Sequence, residues 1–289
     1  MSSSQTQRNA FIALFILAVI WSYNWILLKK AVHYIHPIPF VAWRTIFGSL
    51  TLMIIVGLKR PSTGIPPWRP TLLIGFGQTF LFNLTATMAL MSGAAGKTTV
   101  LAYTMPFWTV LLSRMFLGEN LQHLQKWMVG LAAIGMTLVI QPWSLHGSLV
   151  SDLWALLSGL VWACSIIYTK RVCMKHQIDA LSLTAWQMFY GCLFTIALAL
   201  IYPTPPTQWN ETVIISTAFS ALFGNALGWT LWMFALRNLP ANTVGLNALL
   251  VPALAVLFSA LQLGEIPHLL DTTGMLMIGA ALYGISLKR

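Results

Sequence analysis

The sequence predicts an all-α integral membrane protein of ten transmembrane helices arranged as two inverted five-helix repeats. Three observations carry that prediction. The 289 residues are 57% apolar and 8% charged, against the roughly 25% charged residues that solvate an ordinary soluble domain. Ten apolar runs are long enough, or nearly so, to cross a hydrocarbon core of about 30 Å as helix. The chain also echoes itself: Trp21, Lys29-Lys30 and Trp43 reappear as Trp162, Lys170-Arg171 and Trp186, while Ala89-Leu90, Pro106 and Gly118-Glu119 reappear as Ala235-Leu236, Pro252 and Gly264-Glu265. An odd number of crossings per copy inserts the second copy upside down.

The runs fall at about 10–28, 40–58, 71–90, 98–117, 126–141, 153–169, 180–202, 212–236, 243–263 and 269–287. Residues 1–9 form a polar cytoplasmic tail, 10–145 the first repeat and 146–289 the second. No small-residue cleavage site follows the first run, so it reads as a helix rather than a removable signal. The breaks carry turn chemistry at Pro37 and Pro39, at Pro61–Pro70, at Gln141-Pro142 and at Pro203–Pro206. Pro106 and Pro252 lie inside the fourth and ninth runs. Each removes a backbone donor and frees the carbonyl four residues earlier, at Ala102 and Ala248, so both are candidate gating hinges, set against the tolerance of membrane helices for proline.

Orientation follows from the basic residues. With a cytoplasmic N-terminus, twelve Lys and Arg fall on the inner side and only Lys29, Lys30 and Lys97 on the outer, with Arg44 inside the second run. Both termini are therefore placed in the cytoplasm. The net charge of +10 is spread over helix ends rather than gathered into a patch, which argues against a nucleic-acid partner. Cys164, Cys173 and Cys192 have no paired spacing and read as small apolar residues.

All six carboxylates (Glu119, Asp152, Asp179, Glu211, Glu265 and Asp271) and all six histidines fall at predicted helix ends or in loops. No acid sits at mid-depth, which disfavours an embedded proton relay. The absence of clustered acids, histidines or activated nucleophiles also argues against an enzyme, a metal site or a cofactor. The segment Gly93–Thr98 imitates a phosphate loop, but Met91 takes the first glycine position and the segment joins two apolar runs.

Within the runs, uncharged polar and aromatic residues concentrate: Trp21, Tyr23, Asn24 and Trp25 in the first; Gln78, Thr79, Asn83 and Thr87 in the third; Tyr103 in the fourth; Trp162, Ser165, Tyr168 and Thr169 in the sixth; Asn225 and Trp229 in the eighth; and Asn247 in the ninth. Bare hydrocarbon penalises each of them, so they face other helices or a hydrated cavity. Interhelical bonding and substrate contact both fit any one of them. Trp21, Trp162, Trp186 and Trp229 are the candidate aromatic walls, whereas Trp68, Trp127, Trp143 and Trp209 read as an interfacial belt. The series Ser220, Gly224, Gly228 reads as close helix packing. Arg44 has two readings: it snorkels to the outer interface, or it faces a vestibule and attracts a carboxylate or other anion.

The order of these features resembles the drug/metabolite transporter superfamily, specifically the EamA type: Trp21 then Lys29, Trp43-Arg44-Thr45, Ala89-Leu90, Pro106 and Gly118-Glu119, repeated with Trp162, Lys170, Ala235-Leu236, Pro252 and Gly264-Glu265. Gln187 takes the place of the arginine in the second copy. The resemblance implies a bacterial inner-membrane carrier with a central cavity, in which Trp21, Asn24, Asn83, Tyr103, Trp162, Asn225, Trp229 and Asn247 lie near substrate, with Arg44 beside them on its own account. It further implies export of amino acids or related metabolites by alternating access, with the lipid bilayer and a small molecule as partners. A homodimer stays open. The alternatives are a multidrug exporter and, in a different class, a lipid-modifying membrane enzyme.

Overall fold

The computed structural model describes residues 3–59, 64–117, 123–141, 149–239 and 250–286. Among them the structure is helical: α1 (Ser3–Ala31), α2 (Pro37–Lys59), α3 (Trp68–Ala89), α4 (Ala95–Ala102), α5 (Met105–Leu117), α6 (His123–Ile140), α7 (Leu149–Lys175), α8 (Ala180–Ile201), α9 (211–238), α10 (Leu250–Leu263) and α11 (Leu269–Ser286). Two of them start at a side-chain cap. Asp179 Oδ1 accepts from the backbone N–H groups of Leu181 and Ser182 to open α8, and Asn210 Oδ1 accepts from Val213 N at 3.0 Å to open α9, which satisfies donors a helix start leaves orphaned. Helix α1 begins at Ser3, so the polar residues ahead of the first apolar run continue the helix.

Six stretches are long and apolar enough to cross a bilayer unaided: Gln5–Ala31, Pro37–Lys59, Trp68–Ala89, Leu149–Lys175, Ala180–Ile201 and Glu211–Trp232. Lys126–Ile140, Leu250–Leu263 and Leu269–Ala281 are shorter apolar helices. Large apolar side chains such as Leu58, Leu200, Leu269 and Leu276 lie exposed on the outside, while Arg44, Gln78, Asn225 and Asp152 are buried. That inside-out pattern suits a hydrocarbon surround.

The fourth run differs from the continuous kinked helix expected of it. It is two helices, broken at Tyr103 and Thr104. Thr104 N donates to Leu101 O at 3.2 Å and Phe107 N to Thr104 O at 2.9 Å, tightened bonds to the third residue back. The Thr104 hydroxyl covers Leu101 O at 2.6 Å and itself accepts from Trp108 Nε1 at 3.2 Å. Pro106 thus occupies the first turn of α5, where its missing N–H costs nothing. The freed Ala102 carbonyl packs against α7 instead of opening to a cavity: a Cβ on Gly159 would come within 2.8 Å of it. Pro252 is buried in the first described turn of α10, and Ala248 lies outside the described residues.

Helix pairing is reciprocal. Helices α2 and α8 pack on each other, as do α6 and α11; α1 packs on α9 and α10, and α7 packs on α3, α4 and α5. Exchanging the halves leaves this pattern unchanged, as a two-fold relation requires. Two details share that symmetry. Both α3 and α9 widen into a π-helical segment midway, at Gly75–Leu81 and Ser220–Leu227. Both segments meet a small residue on the partner: a Cβ on Gly48 of α2 would lie 3.0 Å from Asn225 Cβ and 3.3 Å from Ala221 O, and a Cβ on Gly75 would overlap the Gln187 carbonyl beside Gly191 of α8. The missing side chains let the backbones approach.

Candidate functional site

A cavity lies between the halves, lined by Trp21, Asn24, Trp25, Leu28, Arg44, Phe82, Asn83, Ala86, Tyr103, Trp162, Gly224, Asn225 and Trp229. Helix α1 supplies Trp21, Asn24, Trp25 and Leu28 at the i, i+3, i+4, i+7 spacing of one helix face. Helix α3 supplies Phe82, Asn83 and Ala86, one turn past its π segment, and α9 supplies Gly224, Asn225 and Trp229 from and just after its own. Such widened turns re-aim the side chains that follow them.

One side is polar. Arg44 is 4% exposed, so it does not reach the interface, and the snorkelling reading falls. Its Nη2 donates to Asn83 Oδ1, its guanidinium carbon sits 5.9 Å from the centre of the Phe40 ring, and its Nε has no partner. Asn83 Nδ2 donates to Thr79 O at 2.7 Å, a carbonyl of the π segment, and Asn225 Nδ2 donates to the Arg44 carbonyl at 3.3 Å. Asn24 Oδ1 accepts from the Ser220 hydroxyl at 2.6 Å.

The rest is aromatic. Trp162 lies 4.9 Å from Phe82 and 5.5 Å from Tyr103, edge-on to the latter, and Trp21 meets Trp229 edge-on at 5.5 Å. Trp21 Nε1 donates to Gly224 O at 3.0 Å, so the indole is oriented as well as packed.

Eight of the nine substrate-facing residues named from the sequence therefore share one cavity; Asn247 lies outside the described residues. Trp186 is absent from the lining and packs on Phe189 and Tyr190. Tyr23 packs on Phe219 and Phe258. Trp25, Leu28, Phe82, Ala86 and Gly224 were not among the substrate-facing residues named from the sequence, although Trp25 stood out as an aromatic of the first run and Gly224 as a packing residue; the helical spacing from Trp21 and Asn83 was the available signal for most of them. Gly224 does double duty, packing on Asn24 as the small-residue series predicts and lining the cavity.

Beyond the cavity, at the end holding the C-terminus of α1, polar contacts tie the halves together. Lys97 pairs with Asp152 at 3.0 Å, Glu265 Oε2 accepts from Ala95 N at 2.7 Å and from the Ser259 hydroxyl, Lys30 donates to Gln262 at 2.9 Å, and Gln141 donates to Asp271 at 3.0 Å. Gly264, at φ +68°, gives the left-handed turn after α10 that glycine adopts readily and brings Glu265 back onto the α4 N-terminus, which has no cap of its own. Lys29 covers the Leu90 carbonyl at 2.9 Å, which explains a lysine on the side that the charge count leaves nearly bare. Among the described residues no three His, Cys, Asp or Glu gather as metal ligands.

The sequence model of the EamA-like transporter family matches residues 8–141 and 149–287. An uncharacterized transporter of Bacillus subtilis, YoaV, is 26% identical over 86% of this chain and 87% of its own. A probable amino-acid metabolite efflux pump of Salmonella typhimurium is 26% identical over 96% of this chain and 94% of its own. A crystal structure of 16% identity superposes with a TM-score of 0.68 over 97% of both chains, which speaks for the fold alone.

Proposed function

The chain belongs to the EamA-like transporter family, a membrane transporter family, and from that premise we propose that it exports small amphipathic metabolites of the amino-acid class by alternating access. The observation that carries the reading is the cavity: both halves wall it, it is aromatic on most sides, and its polar groups converge at Arg44, Asn83, Asn225 and Asn24. The aromatic faces supply apolar contact and the polar cluster orients the charged end. The efflux-pump relative at 26% identity supports the same class of cargo.

The reading places ten crossings in the bacterial inner membrane, with residues 10–145 and 146–289 as inverted copies and both termini in the cytoplasm. The contacts of Lys97, Glu265, Lys30 and Gln141 across the halves would hold the outer end shut, and they must part for release. Pro106 and Pro252 would act as hinges, and at Pro106 α4 and α5 are already separate rods. Uncoupled or exchange transport fits a chamber whose described lining holds no carboxylate.

The test is reconstitution. Full-length protein in liposomes is expected to accelerate equilibration of a labelled amino acid or amino-acid derivative; unchanged flux over a broad panel removes the reading. Cysteines placed at Lys59 and Lys175 are expected to label from the same, cytoplasmic side, and labelling from opposite sides breaks the inverted-repeat topology.

A further inference from the structure

We infer that the chamber selects a monoanion: a carboxylate with an aromatic or branched apolar body whose amino group is absent or acylated. The inference rests on the carrier reading above and narrows its cargo from amino acids in general to their deaminated or N-blocked relatives.

The argument is one of charge balance. Arg44 is buried, it lines the cavity, and among the described residues no carboxylate lines that cavity with it. Its hydrogen-bond acceptor is the neutral amide of Asn83, and Nε makes no bond. The amides around it are already committed to holding it: Asn83 Nδ2 to the π-segment carbonyl of Thr79, and Asn225 Nδ2 to the backbone of Arg44 itself. These contacts fix a cation in place without compensating its charge. The ion pair of Lys97 with Asp152 lies elsewhere.

A buried charge held apart from any counter-ion is costly unless something else balances it. A carboxylate that reaches the guanidinium from the cavity makes a charge-assisted bond and leaves the chamber neutral. A zwitterion brings an ammonium as well, close to the guanidinium and with no acid on the described wall to receive it, so one positive charge remains uncompensated. The faces of Trp25, Trp162 and Trp229 could attract an ammonium, yet the neighbouring guanidinium opposes it across the same low-dielectric space. The monoanion is the complementary species. The aromatic clusters of Trp162, Phe82 and Tyr103, and of Trp21 and Trp229, fit a planar or branched apolar body.

The experiment titrates purified full-length protein at pH 7 with three ligands sharing one ring: N-acetylphenylalanine as monoanion, phenylalanine as zwitterion and phenethylamine as cation, read by tryptophan fluorescence. N-acetylphenylalanine is expected to bind about tenfold tighter than phenylalanine, whose ammonium stays uncompensated beside the guanidinium, and phenethylamine weakest. Arg44→Gln is expected to erase the order and Arg44→Lys to keep it. Equal or tighter binding of phenylalanine or phenethylamine by the wild type overturns the inference, as does an Arg44→Gln protein that melts normally and keeps the ratio, or a wild type that binds none of the three. If Arg44→Gln does not fold, the wild-type series and Arg44→Lys decide. Liposome flux separates the two failures: phenylalanine carried as fast as N-acetylphenylalanine leaves the carrier standing without the charge rule. Tight binding of N-acetylphenylalanine without flux of any ligand keeps the charge rule and removes the carrier.

Discussion

The two halves build their chamber faces from the same frame and finish them with opposite chemistry. Counting on by the spacing that relates Ala89-Leu90 to Ala235-Leu236, Asn83 of α3 corresponds to Trp229 of α9; by the spacing that relates Trp43 to Trp186, Arg44 of α2 corresponds to Gln187 of α8. The frame residues keep their kind: Trp21 and Trp162 both enter the cavity, Gly48 and Gly191 both admit a π segment, and those segments start at Gly75 and Ser220. So residues that set backbone approach and ring packing are retained, while the change from Asn83 to Trp229 alters the chemistry of the lining. Arg44 and Asn83 both line the chamber, whereas of their counterparts Trp229 lines it and Gln187 does not, so the two faces differ in polarity where a symmetric repeat would match them.

The largest effect separates the two close packings. A Cβ on Gly191 would overlap Thr79 and the Gly75 carbonyl, whereas one on Gly48 would meet Asn225 Cβ at 3.0 Å. Gly191→Ala is therefore expected to destabilise by roughly 1–3 kcal/mol, and Gly48→Ala by less, because a side chain yields more easily than a carbonyl. Thermal melts in detergent check the order; equal melting temperatures would mean that the second interface is as loose as the first.

Next comes the polar side of the cavity. Asn83→Leu removes the acceptor that holds Arg44 and is expected to lower ligand affinity about tenfold, the worth of a hydrogen bond to a charged group. Trp229→Leu, the corresponding change in the other half, leaves the guanidinium in place and is expected to lower affinity by about threefold or less. Isothermal titration with N-acetylphenylalanine measures both. A reversed order would move the recognition of charge out of the first half.

Much of this was legible beforehand, and for a physical reason. Hydrocarbon makes an amide or a guanidinium expensive, so Asn24, Arg44, Asn83 and Asn225 advertise an interior face by their chemistry. Trp25, Leu28 and Ala86 are equally at home against lipid, and only the rotation of each helix assigns them to the cavity. The π segments leave no mark in the sequence, since one extra residue per turn alters no periodicity over so short a stretch. Pro106 was legible as a perturbation but not as a break, because the rescue of Leu101 O by the Thr104 hydroxyl depends on a side-chain geometry. Trp186 misled because its repeat position matches Trp43, and Trp43 itself stacks on Phe47 and meets Trp209 edge-on, away from the cavity.

The smallest expected effect tests the retained tryptophans. Trp21 and Trp162 are equivalent by sequence, but Trp21 adds a hydrogen bond from Nε1 to Gly224 O across the halves, while Trp162 is described by ring contacts with Phe82 and Tyr103. Phenylalanine keeps a ring and removes the donor. Trp21→Phe is therefore expected to cost about 1 kcal/mol more than Trp162→Phe, the net value of one buried hydrogen bond. The Gly224 carbonyl sits inside a π segment, where the lost bond also frees an acceptor beside Asn24. Hydrogen exchange at residues 220–227 should then rise in Trp21→Phe and stay unchanged in Trp162→Phe. Exchange rising equally in both would mean that the indole holds α9 by its bulk, and that the two halves are closer to equal than their bonding suggests.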